Sequence, residues 1–515
     1  MNPILPGFHP DPSIVRVDDA YYLVTSTFEY LPGLPIYRST DLREWKLIGH
    51  VATREEQVGL ATSPTPGGVW APTIRHHAGR FYVIVSVMFR ARGCVVFTAD
   101  AAEGPWSDGV EIPVVDGIDP DLVWDDDGVA YITYAVMGAG IRQVRVDLDS
   151  GRALEEPRPL WSGTGGHAPE GPHLYRRGDD WYLLIAEGGT ERGHSVSIAR
   201  GRAPDGPFEG YAGNPVLTAR GTDHPVQNVG HADLVDTVDG ATALVALGVR
   251  PVGFTRSFSP LGRETFLTSV DWVDGWPIPR PIELDVPAEV EAAVDVDVDG
   301  AVVHDSKAVH DSKAVHDNAV PLDGTVPLDG WIAVRQSPAD IASIADGRLV
   351  LHGRGTDLSD PLPAFVGRRQ RHLTATFTAR VDVSRGSGGI AARHAEAHWF
   401  AIEARRDGSA VQVTARAALA GFTHEWSAAL PAGEVLLSIR SRPPHADMQP
   451  LEVGGDRIRL VAASAGDPDS ELVLAELDGR YWSFETTESF TGRVLGLYAV
   501  DGTVSVEAVT CEGIE

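Results

Sequence analysis

The stretch Pro12-Ser13-Ile14-Val15, with a strand partner centred on Tyr22, is a phrase the chain repeats. It returns as Pro72-Thr73-Ile74-Arg75 with Tyr82, Pro120-Asp121-Leu122-Val123 with Tyr131, Pro172-His173-Leu174-Tyr175 with Tyr182, and Ala232-Asp233-Leu234-Val235 with Ala243. A period of about 50 to 60 residues, each unit holding several short strands, is how a β-propeller looks in sequence. Five copies predict five blades. An aromatic residue closes each unit: Trp45, Trp106, Trp161, Phe208 and Trp272. Turns such as Asp125-Asp126-Asp127-Gly128 separate the strands, and few segments carry a helical apolar period, so an all-β class is expected.

In a propeller the first strand of every blade lines the central channel, and equivalent positions form a ring at one end of it. The ring reads Asp11, Trp70-Ala71, Asp119, Glu170-Gly171 and His231. Three acids, a Trp and a His are thereby expected to converge on one small pocket. Asp11 and Asp119 each precede a proline, which biases them toward extended geometry. An Asp before Pro is also an ordinary turn residue, and Asp125, Asp126 and Asp127 are read as no more than that. Matched placement in separate repeats sets Asp11, Asp119 and Glu170 apart, although Glu170 stands one residue upstream of the aligned position.

At 515 residues the chain has room for a second core beyond the propeller, which is read as 1–300. Residues 301–327, read as a repetitive linker, and the three that follow carry short polar duplications, Val303-His304-Asp305-Ser306-Lys307 before Ala308-Val309-His310-Asp311-Ser312-Lys313, then Val320-Pro321-Leu322-Asp323-Gly324 before Val326-Pro327-Leu328-Asp329-Gly330. Such repeats bury little apolar area, so they read as a solvated linker, and His304, His310 and His316 as linker residues. From 328 to 515 alternation returns, as in His372-Leu373-Thr374-Ala375-Thr376-Phe377-Thr378, His398-Trp399-Phe400-Ala401-Ile402 and Val411-Gln412-Val413-Thr414. Half-buried strands of this kind point to a β-sandwich, a concanavalin-like jelly roll in class.

The net charge of −29, from 72 acids against 43 bases, argues against nucleic-acid and anionic-membrane partners, because phosphate binding needs clustered Lys and Arg. With two cysteines, Cys94 and Cys511, a disulfide framework is excluded. The opening Met1-Asn2-Pro3-Ile4-Leu5-Pro6-Gly7-Phe8 has neither a basic region nor an apolar run. A cytoplasmic protein is expected, one that meets polymeric substrates already shortened.

Phe8-His9-Pro10-Asp11-Pro12-Ser13, Trp70-Ala71-Pro72, Ile118-Asp119-Pro120 and Glu170-Gly171-Pro172-His173-Leu174-Tyr175 together resemble glycoside hydrolase family 43, within it the β-xylosidases with a C-terminal sandwich. The resemblance continues through Ser26-Thr27-Phe28-Glu29, Gly230-His231-Ala232, Gly262-Arg263-Glu264-Thr265-Phe266, Trp272-Val273-Asp274-Gly275-Trp276-Pro277, Gly367-Arg368-Arg369-Gln370 and Phe490-Thr491-Gly492. It implies Asp11 as general base, Glu170 as general acid and Asp119 as the carboxylate that tunes and orients the acid. It also implies inversion at the anomeric carbon, hence a base-to-acid gap of about 6.5 to 9.5 Å that holds a water. Chemistry agrees on the division of labour, since glycoside cleavage needs one protonated and one ionised carboxyl, and a third beside the acid discourages its ionisation.

Sugars offer apolar ring faces and hydroxyls, so Trp70 and Phe28 are expected as platforms, with Arg263 resembling the family arginine that contacts substrate hydroxyls. Phe490 is expected to reach over from the sandwich and narrow the mouth, which admits chain ends only. His231 reads first as a buried, hydrogen-bonded wall residue. The resemblance adds a hydrated ion beside it, often calcium, whose shell would be mostly water because calcium prefers several oxygen ligands. No cofactor is otherwise required, and subunit assembly through the sandwich stays open. The expected activity is exo-acting, inverting release of terminal β-D-xylose from short xylo-oligosaccharides. An α-L-arabinofuranosidase, sole or additional, is the nearest alternative, and a non-catalytic carbohydrate-binding propeller is the alternative of another class.

Overall fold

The computed structural model describes residues 2–89, 92–284, 315–317, 328, 330–444, 453–487 and 489–514. Each inner hairpin forms in the register implied by the repeat: Val15 opposite Tyr22, Arg75 opposite Tyr82, Val123 opposite Tyr131, Tyr175 opposite Tyr182, and Val235 opposite Ala243. The hairpins extend into antiparallel sheets whose first strands are Ser13–Val17, Gly68–His77, Ile118–Trp124, Glu170–Arg177 and Gln227–Asp236. These sheets are the blades of a five-bladed propeller. Neighbouring blades pack through aliphatic and aromatic side chains, as where Leu34, Ile36 and Val51 of the first meet Val83, Val85 and Phe97 of the second under Trp106. Asp125 caps its turn, its Oδ1 accepting from the amides of Asp127 at 3.0 Å and Val129 at 2.8 Å.

The residues ahead of the first blade close the propeller by docking on the fifth. Leu5 and Thr265 exchange backbone bonds of 3.3 Å, and the His9 amide donates to the Arg263 carbonyl at 2.9 Å. That contact sets Arg263 beside the start of the first inner strand, next to Asp11.

In the second domain the strand Thr374–Ala395 pairs along its length with Val494–Ile514. Its first half also pairs with Val435–Arg442 and its second half with His398–Asp407, building the sandwich. Buried and half-buried residues alternate from Thr374 to Val383, as the sequence pattern demands. A buried Arg493 holds both carboxylate oxygens of Asp456, at 2.5 and 2.8 Å.

The two domains share structure that the sequence reading did not foresee. Tyr30–Leu31 of the propeller joins the sandwich sheet by pairing with Ile332–Val334. Phe8, Phe28 and Tyr30 lie in one apolar core with Ile332, Phe365, Trp399 and Tyr498. Arg335 donates to Glu396 at 2.7 Å and to the Thr65 hydroxyl at 2.9 Å, while its amide donates to the Glu29 carbonyl at 2.7 Å. Within the segment read as linker, the backbone of Val315–Asp317 pairs with Cys511–Gly513, as an extended backbone beside a strand gains ladder bonds. The remainder of that segment, His304 and His310 included, lies outside the described residues. Among the described residues no helix is long and apolar enough to cross a membrane.

Candidate active site

The ring positions share one backbone conformation. Asp11, Ala71, Asp119, Gly171 and His231 all lie in the left-handed region, with φ of 55°, 40°, 55°, 54° and 44°. The expectation of extended geometry at Asp11 and Asp119 is therefore wrong. Proline disfavours the right-handed helical region for its predecessor, but at Asp119 a strand irregularity, not an extended run, meets that restriction, while Asp11 stands just ahead of its strand. Pairing registers slip between Trp70 and Thr73, Ile118 and Asp121, Glu170 and His173, and Gly230 and Ala232. A bulge with a left-handed residue bends its strand and re-aims the side chain, here toward the channel. Asp and Gly tolerate the conformation, whereas Ala71 and His231 hold it at a cost of about 1–3 kcal/mol each.

Contacts tie the ring together. Ser26, fully buried, donates to Asp11 Oδ2 at 2.6 Å and accepts the Ala71 amide at 2.7 Å. Asp119 Oδ2 accepts the Gly171 amide at 3.0 Å. A Cβ on Gly171 would stand 3.0 Å from the His231 imidazole, so the bare backbone there is what admits that ring. His231 Nδ1 lies 3.7 Å from Asp11 Oδ1.

Two residues further along the strands, a second polar layer forms the floor. Asp121 accepts the Leu174 amide at 2.8 Å, Ser13 the Ile74 amide at 3.1 Å, and Asp233 the Ile14 amide at 3.0 Å. Arg75 bridges Asp121 at 2.6 Å and Asp233 at 3.0 Å, and Tyr175 donates to Asp233 at 2.5 Å. Buried acids in this layer are thus paired, as burial requires.

The three ring carboxyls differ in what faces them. Asp11 accepts from Ser26 and from Arg263 Nη1 at 3.2 Å. Burial pushes its pKa up, but Arg263, His231 and the Ser26 hydroxyl together outweigh that and hold it below the ordinary value. Among the described residues Asp119 has one donor, the Gly171 amide, and it is pushed well up by burial and then by the charges of Glu170 and Asp11. Among the described residues no hydrogen bond reaches the Glu170 carboxyl; burial first, then Asp11, raises it to about 7. The negative charges of the ring thus disfavour ionisation of both Asp119 and Glu170. The site therefore offers one carboxyl biased toward its ionised form and another biased toward its protonated form, the equipment for general acid–base hydrolysis.

Arg263, 5% exposed, is the hinge between this ring and the second domain. It donates to Thr190 Oγ1 at 3.1 Å, and its guanidinium carbon stands 5.2 Å from the Phe490 ring and 5.7 Å from the Phe28 ring. Phe490 does cross from the sandwich, meeting Trp70 edge-on at 5.1 Å and Phe28 at 5.8 Å. Trp70 is half-buried with its indole N–H on the Pro66 carbonyl at 2.9 Å, and Phe28 is 1% exposed. An interdomain cavity of about 520 Å³ adjoins this cluster, lined by Thr190, Glu191, Asn228, Arg256, Phe484 and Phe490 among others. The three carboxyls do not line it; Thr190 and Phe490, both touching Arg263, connect it to them.

Sequence reasoning missed Ser26, Thr190 and His194. Ser26 lay inside a quoted motif without a role. Thr190 and His194 stand in the loop between the second and third strands of the fourth blade, where only the glycines Gly188, Gly189 and Gly193 hinted at close packing. For an ion at His231 the fit is poor: among the described residues no three His, Cys, Asp or Glu side chains are grouped to hold a metal, and neighbouring Asp11 is engaged by Arg263 and Ser26. No chemical step is routed through one.

Residues 1–277 match the family model described as glycosyl hydrolases family 43, and residues 327–510 match the beta xylosidase C-terminal concanavalin A-like domain. The chain is 35% identical to a non-reducing end alpha-L-arabinofuranosidase of Bacteroides ovatus, over 97% of this chain and 90% of that one. It is 34% identical to a xylosidase/arabinosidase of Humicola insolens, over 79% and 77%. Among solved structures, a Bacteroides ovatus protein titled as the GH43B of a xyloglucan utilisation locus superposes with a TM-score of 0.85 at 32% identity, covering 100% of this chain and 99% of that one.

Proposed function

The chain belongs to glycosyl hydrolases family 43, and from that premise we propose that it is an exo-acting, inverting enzyme that releases terminal β-D-xylose from short xylo-oligosaccharides. The observation that carries the assignment of roles is the donor asymmetry of the ring: Asp11 has two donors and a depressed pKa, while Glu170 has none among the described residues and a raised one. Asp11 takes a proton from water as the water oxygen bonds to the anomeric carbon. Glu170 gives its proton to the glycosidic oxygen, which leaves with the electron pair of the breaking C–O bond. The two carboxyls exchange protonation states and return through solvent. Asp119, held by the Gly171 amide, is the carboxylate that tunes and orients the acid, and Trp70 and Phe490 form the aromatic wall of the sugar site, with Phe28 packed behind them and Arg263 toward its hydroxyls. A wall completed from a second domain, and a relative named for action at non-reducing ends, support chain-end specificity.

A second reading is release of α-L-arabinofuranose, favoured by the name of the relative that spans most of this chain. The two sugars present similar hydroxyl patterns to one pocket. Turnover of 4-nitrophenyl β-D-xyloside and α-L-arabinofuranoside decides which dominates. Asp11→Ala and Glu170→Ala should each cut turnover of xylobiose by orders of magnitude, and with the aryl leaving group the loss at Glu170 should be the smaller, since protonation then matters less. Binding without hydrolysis in the parent, or unaltered rates in both variants, would leave the acids as turn formers.

A further inference from the structure

Behind Glu170 stands His194, fully buried and without a task in the reaction as drawn. Its Nδ1 lies 3.0 Å from the Asn228 carbonyl oxygen. A carbonyl only accepts, so Nδ1 carries the hydrogen, and burial keeps the ring neutral by lowering its pKa to about 3. Nε2 is then a bare lone pair. It has no hydrogen-bond partner among the described residues and faces Glu170 Oε1 at 3.9 Å.

The ring cannot turn away. A Cβ on Gly230 would stand 2.5 Å from the imidazole, so one face lies flat on that backbone. Asn228 holds a left-handed φ of 54° that presents its carbonyl, and its side-chain amide donates to the Thr190 carbonyl at 3.3 Å. The His194 carbonyl accepts the Thr218 hydroxyl at 2.8 Å.

We propose that His194 is the positioning residue of the acid: a fixed acceptor that holds Glu170 as a carboxylic acid and opposes it as a carboxylate. This rests on Glu170 being the acid in the reaction above. An O–H pointing at Nε2 is attracted, whereas a carboxylate oxygen pointing at the same lone pair is repelled, and both effects favour the protonated form. Closing the gap to hydrogen-bond length needs a movement of about 1 Å by the Glu170 side chain. The charged and titratable groups facing the pair are Asp11, Asp119 and Glu191, which oppose ionisation of Glu170 or its neighbours, together with Arg263 and His231. All of them stay in place when His194 is replaced, and of these Asp11 is the one on which His194 also acts.

The test is His194→Phe, which keeps a flat ring against Gly230 and removes the acceptor. The basic limb of kcat/KM on xylobiose should move down by about one pH unit. At pH 7 xylobiose turnover should fall about fivefold, and 4-nitrophenyl β-D-xyloside clearly less, because the former depends more on the proton. A limb that stays in place, or equal losses on both substrates, overturns the proposal in favour of simple packing. Glu170→Ala run alongside separates the two failures: near-normal xylobiose turnover there sinks the acid assignment itself. If His194→Phe does not fold, nitrogen-15 NMR of the wild-type ring decides between the two roles. Nδ1–H with a bare Nε2 between pH 5 and 8 is expected, and an Nε2–H tautomer or an imidazolium overturns the proposal.

Discussion

Replacing Arg263 by Met removes the guanidinium that donates to Asp11 at 3.2 Å and leaves a buried carboxylate facing the Ser26 hydroxyl and the flank of His231. A hydrogen bond to a charged group contributes about 1.5–3 kcal/mol, and one pKa unit corresponds to about 1.4 kcal/mol. The Asp11 pKa should therefore rise by about one to two units. The sign follows from its role: a base must be ionised, so activity exists above its pKa, and raising that pKa moves the acidic limb of kcat/KM to higher pH. Arg263 also lowers the Glu170 pKa from a distance, so the basic limb should rise as well, by less. The active pH range should narrow from its acid side. The assay is the pH profile of kcat/KM with 4-nitrophenyl β-D-xyloside, with Arg263→Lys as the partner variant that restores charge without the fork. An acidic limb unmoved in Arg263→Met would refute the claim that Arg263 sets the state of Asp11.

Phe490→Ala should lower kcat/KM about tenfold, by deleting the aromatic contacts at 5.1 Å to Trp70 and 5.8 Å to Phe28. Steady-state kinetics checks it. Gly171→Ala should cost more activity than stability, since its Cβ would press on His231 at 3.0 Å in a left-handed position; comparing kcat with the melting temperature tests this. Arg75→Met should destabilise the fold by about 3–5 kcal/mol at pH 7, because it strands the buried Asp121 and Asp233. Burial raises the Asp233 pKa, but Arg75 and the hydrogen bonds outweigh it and hold it at about 2. A depressed carboxylate stabilises above its unfolded pKa and loses that contribution as pH falls toward the folded value. Urea unfolding should therefore show the gap between parent and Arg75→Met shrinking below about pH 4.

What could be read from the sequence was whatever repeats. Val15 opposite Tyr22 and its four equivalents follow from the period, and the ring of Asp11, Asp119, Glu170 and His231 follows from position in the period. What could not be read was whatever happens once. The two-residue pairing of Tyr30–Leu31 with Ile332–Val334 joins segments about three hundred residues apart, and no local pattern signals so short a strand. His194 depends on one carbonyl, that of Asn228, turned by a left-handed residue two positions before Gly230. The left-handed ring itself was misread because proline's restriction on its neighbour is compatible with two regions, and the bulge that chooses between them is a property of the paired strands.

The proposal that Asp11 and Glu170 act from opposite sides of one sugar is tested most directly by following hydrolysis of 4-nitrophenyl β-D-xyloside, whose only xylose comes from the cleaved glycoside, with proton NMR in the first minutes. Inversion releases α-xylose before mutarotation mixes the anomers. Immediate appearance of β-xylose would contradict it, and would require one of these carboxyls to attack the sugar itself.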